Sequence, residues 1–403
     1  EEIEKCHGCS KCTTVTTATR MCPIYKFTRD EAAAPKAKAN ILRYLISGEI
    51  ESESIFEEAF QYVIDRCVNC GSCYKECPSN VNIPKMAIEA RSRYVKKYGV
   101  GLEKRLLVSA ELAGRYTRKF SKIINLPMKL KIVRTLAEKI TGISNNREAV
   151  EFPKACLYER INRYEGSGDI KVMYFAGCYA SYIRPEIGEA AIKVLKSLGM
   201  QVVTPNQHCC GLPMLSKGMV DAAREKIREN LSSWKKLIYD VDYIVVTCSS
   251  CGLSLSEEWS YLSNDTINGI IRQKIIHISS LVNRYIGDRR FSLPSELKIS
   301  YHMPCHLKVQ KDADSSIKML KNVLNLTVEN LNSHCCGMAG SWGISAKNYD
   351  LSIKIGGDMI EKLNTSNSHF GVTDCPTCRI QMEHMSVKSI KHPIEIIAEC
   401  LKD

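Results

Sequence analysis

A five-cysteine signature occurs twice in this chain, and no other feature restricts its fold as tightly. The first copy is Cys178, the adjacent pair Cys209–Cys210, then Cys248 and Cys251. The second is Cys305, the pair Cys335–Cys336, then Cys375 and Cys378. Corresponding cysteines lie 127, 126, 126, 127 and 127 positions apart, which marks a duplicated structural unit. The surrounding pattern repeats as well. "KVMYFAGC", "MQVVTP" and "DYIVVTCSSC" are apolar runs of strand length, and between them "GEAAIKVLKSLG" and "MVDAAREKIRENLSSWKKL" have helical periodicity. In the second copy "KISYHMPC", "LTVENLNSHCCG" and "FGVTDCPTC" follow the same order. Alternating strands and helices predict a parallel, Rossmann-like α/β sheet in each repeat. Ligands of such sheets collect beyond the carboxyl ends of the strands, where all five cysteines of each copy fall.

Five thiols at one crevice are too many for a mononuclear zinc and one more than a cubane cluster takes. An adjacent pair can bond neighbouring irons of a distorted cluster or bridge them. Gly211 and Gly337, each directly after a pair, permit a tight turn. A vicinal disulfide is the structural alternative, at the cost of strain. His208, His302, His306 and His334 flank the cysteines as proton donors, hydrogen-bond partners or simple turn caps. Cys156 and Cys400 belong to no motif and read as ordinary structural residues.

The first hundred residues carry another cysteine pattern. "CHGCSKC" supplies Cys6, Cys9 and Cys12, followed by Cys22; "CVNCGSCYKECP" supplies Cys67, Cys70, Cys73 and Cys77. C-x2-C-x2-C lets three thiolates hold three corners of a [4Fe–4S] cube, and in two-cluster ferredoxins the fourth comes from the other run. The expected sets are therefore Cys6, Cys9, Cys12 with Cys77, and Cys67, Cys70, Cys73 with Cys22. A pair of four-cysteine zinc sites would leave the third cysteine of each run unexplained. Helical patterns fill the rest of this segment, predicting an α-helical domain. Twenty cysteines in 403 residues would suit a disulfide scaffold only in a short secreted chain. Here they cluster as CxxC and CC, and no signal-peptide pattern is visible, so metal is the expectation.

The formal charge of +12 is concentrated. Between Lys96 and Lys139 there are twelve Lys/Arg and three Asp/Glu. On a helical wheel of Leu102 to Ile124, the residues Leu102, Leu106, Ala113, Tyr116, Phe120 and Ile124 share one side. Lys104, Arg115, Arg118, Lys119 and Lys122 share the other. "NLPMKLKIVRTLAEKITG" continues the basic pattern. Such a helix either packs its apolar side on the protein or lies on an anionic membrane surface. No nucleic-acid-binding motif accompanies the charge, so no nucleic-acid partner is expected. No run of 18 apolar residues spans a bilayer.

These motifs together resemble the CCG-domain iron–sulfur oxidoreductases related to heterodisulfide reductase. Within that family, "SHCCGMAGSWGISAKNY", "VTDCPTCRIQME", "FAGCYASYIRPEIGEAAIKVLKSLG" and "INLPMKLKIVRTLAEKI" are similar to the C-subunit branch of anaerobic glycerol-3-phosphate dehydrogenases. The resemblance covers essentially the whole chain. It implies a helical two-cluster ferredoxin-type domain at 1–98, a basic, membrane-docking connector at 99–168, and CCG repeats at 169–284 and 285–403. It further implies an electron-transfer subunit without a substrate site of its own. Two [4Fe–4S] clusters would sit in the first domain and one or two noncubane [4Fe–4S] clusters in the repeats. The partner would be an FAD-containing dehydrogenase subunit, the destination a quinone, and the location the inner, cytoplasmic face of the cell membrane. The alternatives are a disulfide reductase working at noncubane clusters, since both five-cysteine sets are complete, or the equivalent subunit of a glycolate or lactate oxidase.

Overall fold

A computed structural model describes residues 2–16, 21–117, 121–263, 265–287, 297–324 and 326–401. The N-terminal domain is helical, as its periodicity predicts. Helices Pro35–Ser47, Glu58–Asp65 and Ile83–Tyr98 pack around Leu42, Phe60, Ile64, Met86 and Ala87. The last begins where the Asn82 side chain accepts a hydrogen bond from Lys85 N (3.1 Å), with prolines in the first turns of the first and last.

Each repeat folds as a parallel α/β sheet. The first contains β1 (Tyr164–Glu165), β2 (Ile170–Phe175), β3 (Met200–Val203), β4 (Tyr243–Val246) and β5 (Ile275–His277), in the order β1-β3-β2-β4-β5. The second contains β6 (Lys298–Tyr301), β7 (Thr327–Asn330), β8 (Phe370–Val372) and β9 (Ile390–Lys391), in the order β7-β6-β8-β9. The duplication extends to register. Tyr174 pairs with Val245 and Tyr301 with Val372, each residue 127 positions from its counterpart. Three strands per repeat are evident in the sequence. β5 and β9 escape notice because they are short and run straight into a helix. β1 is an antiparallel edge strand that the first repeat adds to the shared pattern. In both sheets the first strand of the shared pattern is central, and the chain moves to one side and then the other. That creates a switch point between strand ends, where crevices form.

The repeats pack reciprocally. The helix after the first strand of each, Pro185–Ser197 and Ser315–Asn322, lies on the helix after the fourth strand of the other, Pro393–Cys400 and Ile278–Tyr285. Polar contacts follow the same exchange. His392 Nε2 lies 2.9 Å from Thr247 O, and His277 Nε2 lies 3.7 Å from the carboxylate of Asp374, the counterpart of Thr247. One apolar core, including Tyr174, Leu195, Tyr301 and Ile397, runs through both repeats. The two strand-end crevices are thereby held in a fixed relation.

The connector differs from the single long helix that its wheel suggests. It consists of short helices at Leu102–Val108, Ala110–Thr117 and Ser121–Met128, then Lys131–Thr141. Arg118, Lys119 and Phe120 lie outside the described residues, as does the side chain of Lys122. Helix Ala110–Thr117 lies tightly on the first repeat, since a Cβ at Gly114 would meet Tyr182 Cβ at 2.3 Å. Arg115 turns inward with it, donating to Tyr182 Oη (3.0 Å) and Gln207 O (3.1 Å). Leu102, Leu106 and Tyr116 are exposed. The most open apolar row among the described residues lies further on, at Ile123, Leu126, Leu130, Ile132, Leu136 and Ile140.

Candidate metal centres

The fold gathers the N-terminal cysteines around two hollows. Cys6, Cys9, Cys12 and Cys77 line one of about 440 Å³. Cys22, Cys67, Cys70 and Cys73 line another of about 300 Å³, and Cys73 borders both. Residues 17–20, in the long loop before Cys22, lie outside the described residues. Cys22 itself is held firmly. It caps helix Pro23–Thr28 with φ 39, its Sγ 3.1 Å from Ala33 O and accepting from Tyr25 N at 3.4 Å. A non-glycine residue in the left-handed region costs about 1–3 kcal/mol and persists only where its surroundings hold it. Burial pushes the Cys22 and Cys70 thiols up to about 12. Lys38, 1% exposed, has its ammonium on Ala32 O (2.8 Å) and Ala34 O (3.4 Å), and faces Cys22, Cys67 and Cys73. Burying an ammonium beside carbonyls alone is unfavourable unless anions lie close, and the thiolates of a bound cluster would be those anions.

In each repeat the five thiols form one connected group. Cys178 meets Cys209, which meets Cys210, then Cys251, then Cys248. The second repeat runs Cys305, Cys335, Cys336, Cys378, Cys375 in the same order. The glycines after the pairs have φ +85 and +86, so both pairs sit on the same left-handed turn. All twenty cysteines are free thiols, and neither pair is a vicinal disulfide. Contact with Cys209, then burial, raises Cys210 to about 12. Contacts with Cys335 and Cys378 hold Cys336 down at about 5, and contact with Cys378 holds Cys375 at about 6. Cys336 and Cys375 thus ionise at the expense of their neighbours, whose thiols are pushed up, and a polynuclear cationic core would ionise all five together. Five sulfurs per site exceed a tetrahedral zinc, so the donor set fits an iron–sulfur cluster.

The backbone of the first pair is held from several sides. Glu111 accepts from Cys209 N (2.9 Å), and Asn230 donates to Cys209 O (3.1 Å). Ser254 Oγ (2.8 Å) and Trp259 Nε1 (3.0 Å) both donate to Cys210 O, aimed there by a π-helical turn at Ser254–Glu258. Glu111 also pairs with Arg115 (2.9 Å), His208 (2.9 Å) and Lys226 (3.5 Å). Gln207 accepts from Ala176 N (2.9 Å) and donates to Tyr174 O (3.0 Å), joining two strand ends. The second repeat uses other groups. His302, where the first repeat has Phe175, lies with Cys336 Sγ and Cys378 Sγ within 4.8 Å of one another, and its Nδ1 is 2.8 Å from Ser333 Oγ. Asp374 binds Tyr301 Oη and accepts from Ser316 Oγ (2.6 Å). Glu111, Lys38 and Asp374 carry no motif signal, because their partners are brought near only by folding.

The sites are neighbours. Cys22 and Cys335 share one apolar cluster with Cys305 at its edge. His306 stands at the junction. Its Nε2 is 3.0 Å from Asn69 O, between two ferredoxin-type cysteines, and its Nδ1 is 2.9 Å from Ser250 Oγ, between Cys248 and Cys251. Burial lowers its pKa, so the neutral ring donates to Asn69 O and accepts from Ser250. His334 Nε2 lies 2.9 Å from Lys26 Nζ, which ties the second pair to the N-terminal domain. Cys248 and Cys375, counterparts in the two repeats, line one narrow cleft with Tyr179, Arg379 and His392.

Comparison with known proteins agrees with this geometry. Residues 172–256 and 299–383 match the CCG cysteine-rich domain, and residues 2–81 match the 4Fe–4S dicluster domain. The chain is 29% identical over 410 residues to the C subunit of anaerobic glycerol-3-phosphate dehydrogenase of Escherichia coli (strain K12), covering 99% of this chain and 98% of the relative. It is 21% identical to the glycolate oxidase iron–sulfur subunit of the same strain, covering 99% and 94%. It is 23% identical to the D subunit of the dihydromethanophenazine:CoB–CoM heterodisulfide reductase of Methanosarcina barkeri, again covering 99% and 94%. With two complete five-thiol sites behind a two-cluster domain, the chain belongs to the CCG-domain, heterodisulfide reductase-related family of iron–sulfur oxidoreductases.

Proposed function

We propose that this chain is the iron–sulfur electron-transfer subunit of a membrane-associated, flavin-dependent dehydrogenase complex of the glycerol-3-phosphate type. An FAD-containing partner oxidises the substrate, and this chain carries the electrons toward quinone. The observation that carries the reading is the adjacency of the cysteine sets through one body, with Cys22 and Cys335 in one apolar cluster and Cys305 packed against it. Cys6, Cys9, Cys12 and Cys77 hold one [4Fe–4S] cluster, and Cys22, Cys67, Cys70 and Cys73 the other. One or two noncubane [4Fe–4S] clusters occupy the five-cysteine sets of the repeats. When bound, these clusters supply one-electron chemistry that no side chain offers. The chain's own residues bury the thiolates, hold the first CC turn through Glu111, Asn230 and Trp259, and join the sites through His306.

The membrane attachment is peripheral and on the inner face. No helix among the described residues is long and apolar enough to cross a membrane. The open row Ile132, Leu136 and Ile140 recurs every four residues along Lys131–Thr141, beside Lys131 and Lys139, which suits an anionic lipid surface. A second reading, disulfide reduction by this chain itself, is favoured by one observation: Cys248 and Cys375 open onto the same cleft. Anaerobic purification with its partners tests both. Iron and sulfide in all four sites, a co-purifying flavoprotein and glycerol 3-phosphate-to-quinone activity support the first. Disulfide reduction by the isolated chain overturns it, and zinc without sulfide overturns both.

A further inference from the structure

Arg147 belongs to no motif, yet among the described residues it is the most deeply placed arginine of the connector, at 5% exposure. The end of the connector is sewn to the loop after the second cysteine pair. Ser144 N donates to Ile344 O (2.9 Å), Ala346 N donates to Gly142 O (2.9 Å), and Ile143 bridges to Ser345. This drives the Arg147 guanidinium into the second repeat. Nε donates to Gly343 O (3.1 Å), Nη1 to Gln381 Oε1 (2.5 Å) and Nη2 to Ser352 Oγ (2.9 Å). The ring of Tyr349 lies 5.0 Å away. Every one of these partners is neutral, and among the described residues no carboxylate lies within ion-pair distance of Arg147.

The same partners enclose the second cysteine pair. Gln381 is one helical turn beyond Cys378. A Cβ at Gly356 would meet both Cys336 O (2.6 Å) and Gln381 Nε2 (2.9 Å). A buried guanidinium without a carboxylate is unfavourable by itself. The anion available to offset that cost is the thiolate group led by Cys336, whose backbone is packed against Gly356 beside the same Gln381 that accepts from Arg147. Among the described residues the first repeat has no such cation. There the pair is backed by Glu111, Arg115, Lys226 and Glu229, two carboxylates against two cations, joined by ion pairs of 2.9, 3.5 and 2.7 Å.

We propose that Arg147 is a positioning residue for the second-repeat cluster: its unpaired charge raises the reduction potential there, a control the first repeat lacks. The inference rests on the reading that the second repeat holds an iron–sulfur cluster. Thiolate ligation leaves such a cluster net negative, and taking up one electron adds a further negative charge. A fixed cation nearby therefore favours the reduced form, in a site with little water to screen it. The buried Asp374 carboxylate of this repeat is engaged by Tyr301 and Ser316.

The test is a dithionite titration of the holoprotein, followed by electron paramagnetic resonance, in wild type, Arg147→Gln and Arg147→Lys. Each sample is first analysed for iron and sulfide, and a Cys178→Ser background removes the first-repeat signal. Arg147→Gln is expected to make reduction at the second repeat about tenfold or more less favourable, about 59 mV downward for a one-electron couple. Arg147→Lys is expected to stay near wild type. A loaded Arg147→Gln protein with an unchanged potential overturns the inference. If Arg147→Gln loses the cluster, Arg147→Lys decides: retention at the wild-type potential supports the charge, and loss or a shifted potential refutes it. A wild-type second repeat without iron and sulfide removes instead the reading on which the inference depends.

Discussion

The two CC turns offer a matched pair of substitutions, Gly211→Ala and Gly337→Ala. Both glycines have nearly the same φ, +85 and +86, so an alanine at either carries the same left-handed penalty of about 1–2 kcal/mol. Their surroundings differ. At Gly211 the nearest atom to an added Cβ is Ala223 O at 3.3 Å, a tight but tolerable contact. At Gly337 it is Ser352 O at 2.1 Å, with Ser352 C at 3.0 Å. That oxygen cannot move freely, because Ser352 lies within helix Tyr349–Thr365 and its carbonyl also accepts from Gln381 Nε2 (3.1 Å). Overpacking against fixed backbone adds about 1–3 kcal/mol. Gly337→Ala should therefore cost about 2–5 kcal/mol against about 1–2 for Gly211→Ala. The cost falls on the turn that carries Cys335 and Cys336. Anaerobic denaturant unfolding and iron content per chain measure it, with the second-repeat signal lost first. Equal destabilisation by the two alanines, or a Gly337→Ala protein as stable and as iron-rich as wild type, would refute the argument.

Three further outcomes follow from the geometry. Cys77→Ser should remove the cluster signal of Cys6, Cys9 and Cys12, and Cys22→Ser that of Cys67, Cys70 and Cys73; the opposite pattern in paramagnetic resonance would reverse the crossed assignment. Ile132→Glu with Leu136→Glu and Ile140→Glu should abolish flotation with anionic liposomes. Because all three side chains are exposed, the melting temperature should hardly change, and unaltered flotation would dismiss the membrane face. The third concerns acid. Burial keeps the His306 ring neutral in the fold, whereas unfolded histidine titrates near about pH 6.5. Its share of stability is therefore complete above about pH 6.5 and is lost as pH falls toward the depressed folded value. Protection factors around Asn69 and Ser250, taken relative to the intrinsic exchange rate at each pH, should fall as the pH drops below that point, and His306→Asn should flatten the trend; an equal slope in both proteins would exclude His306 as the cause.

Much of the site was legible because cysteine ligation leaves a local signature. C-x2-C spacings and the CC–Gly turn are set by neighbours in the chain, so the residues at each strand end could be named before the fold was known. Groups without such a signature were invisible. Glu111 meets Cys209 from 98 positions away, and Arg147 meets Ser352 from 205. The connector was partly misread for the same reason. Its wheel describes one continuous helix, but packing on Tyr182 and the break at Ser109 divide it, and hydrogen bonds to Tyr182 and Gln207 tie Arg115 to the first repeat.

By itself, the sequence determined that the chain contains a duplicated strand–helix unit with thiols at its strand ends, behind a domain with two further thiol sets. Period, alternation and short-range ligand spacing are properties of the chain read in order. Only the tertiary structure decided which sets are neighbours, that the repeats exchange helices reciprocally, and that the second cysteine pair is faced by a cation without a carboxylate. Those relations depend on how separate elements bury their apolar faces against one another. Packing of that kind brings together residues hundreds of positions apart and leaves no local pattern behind.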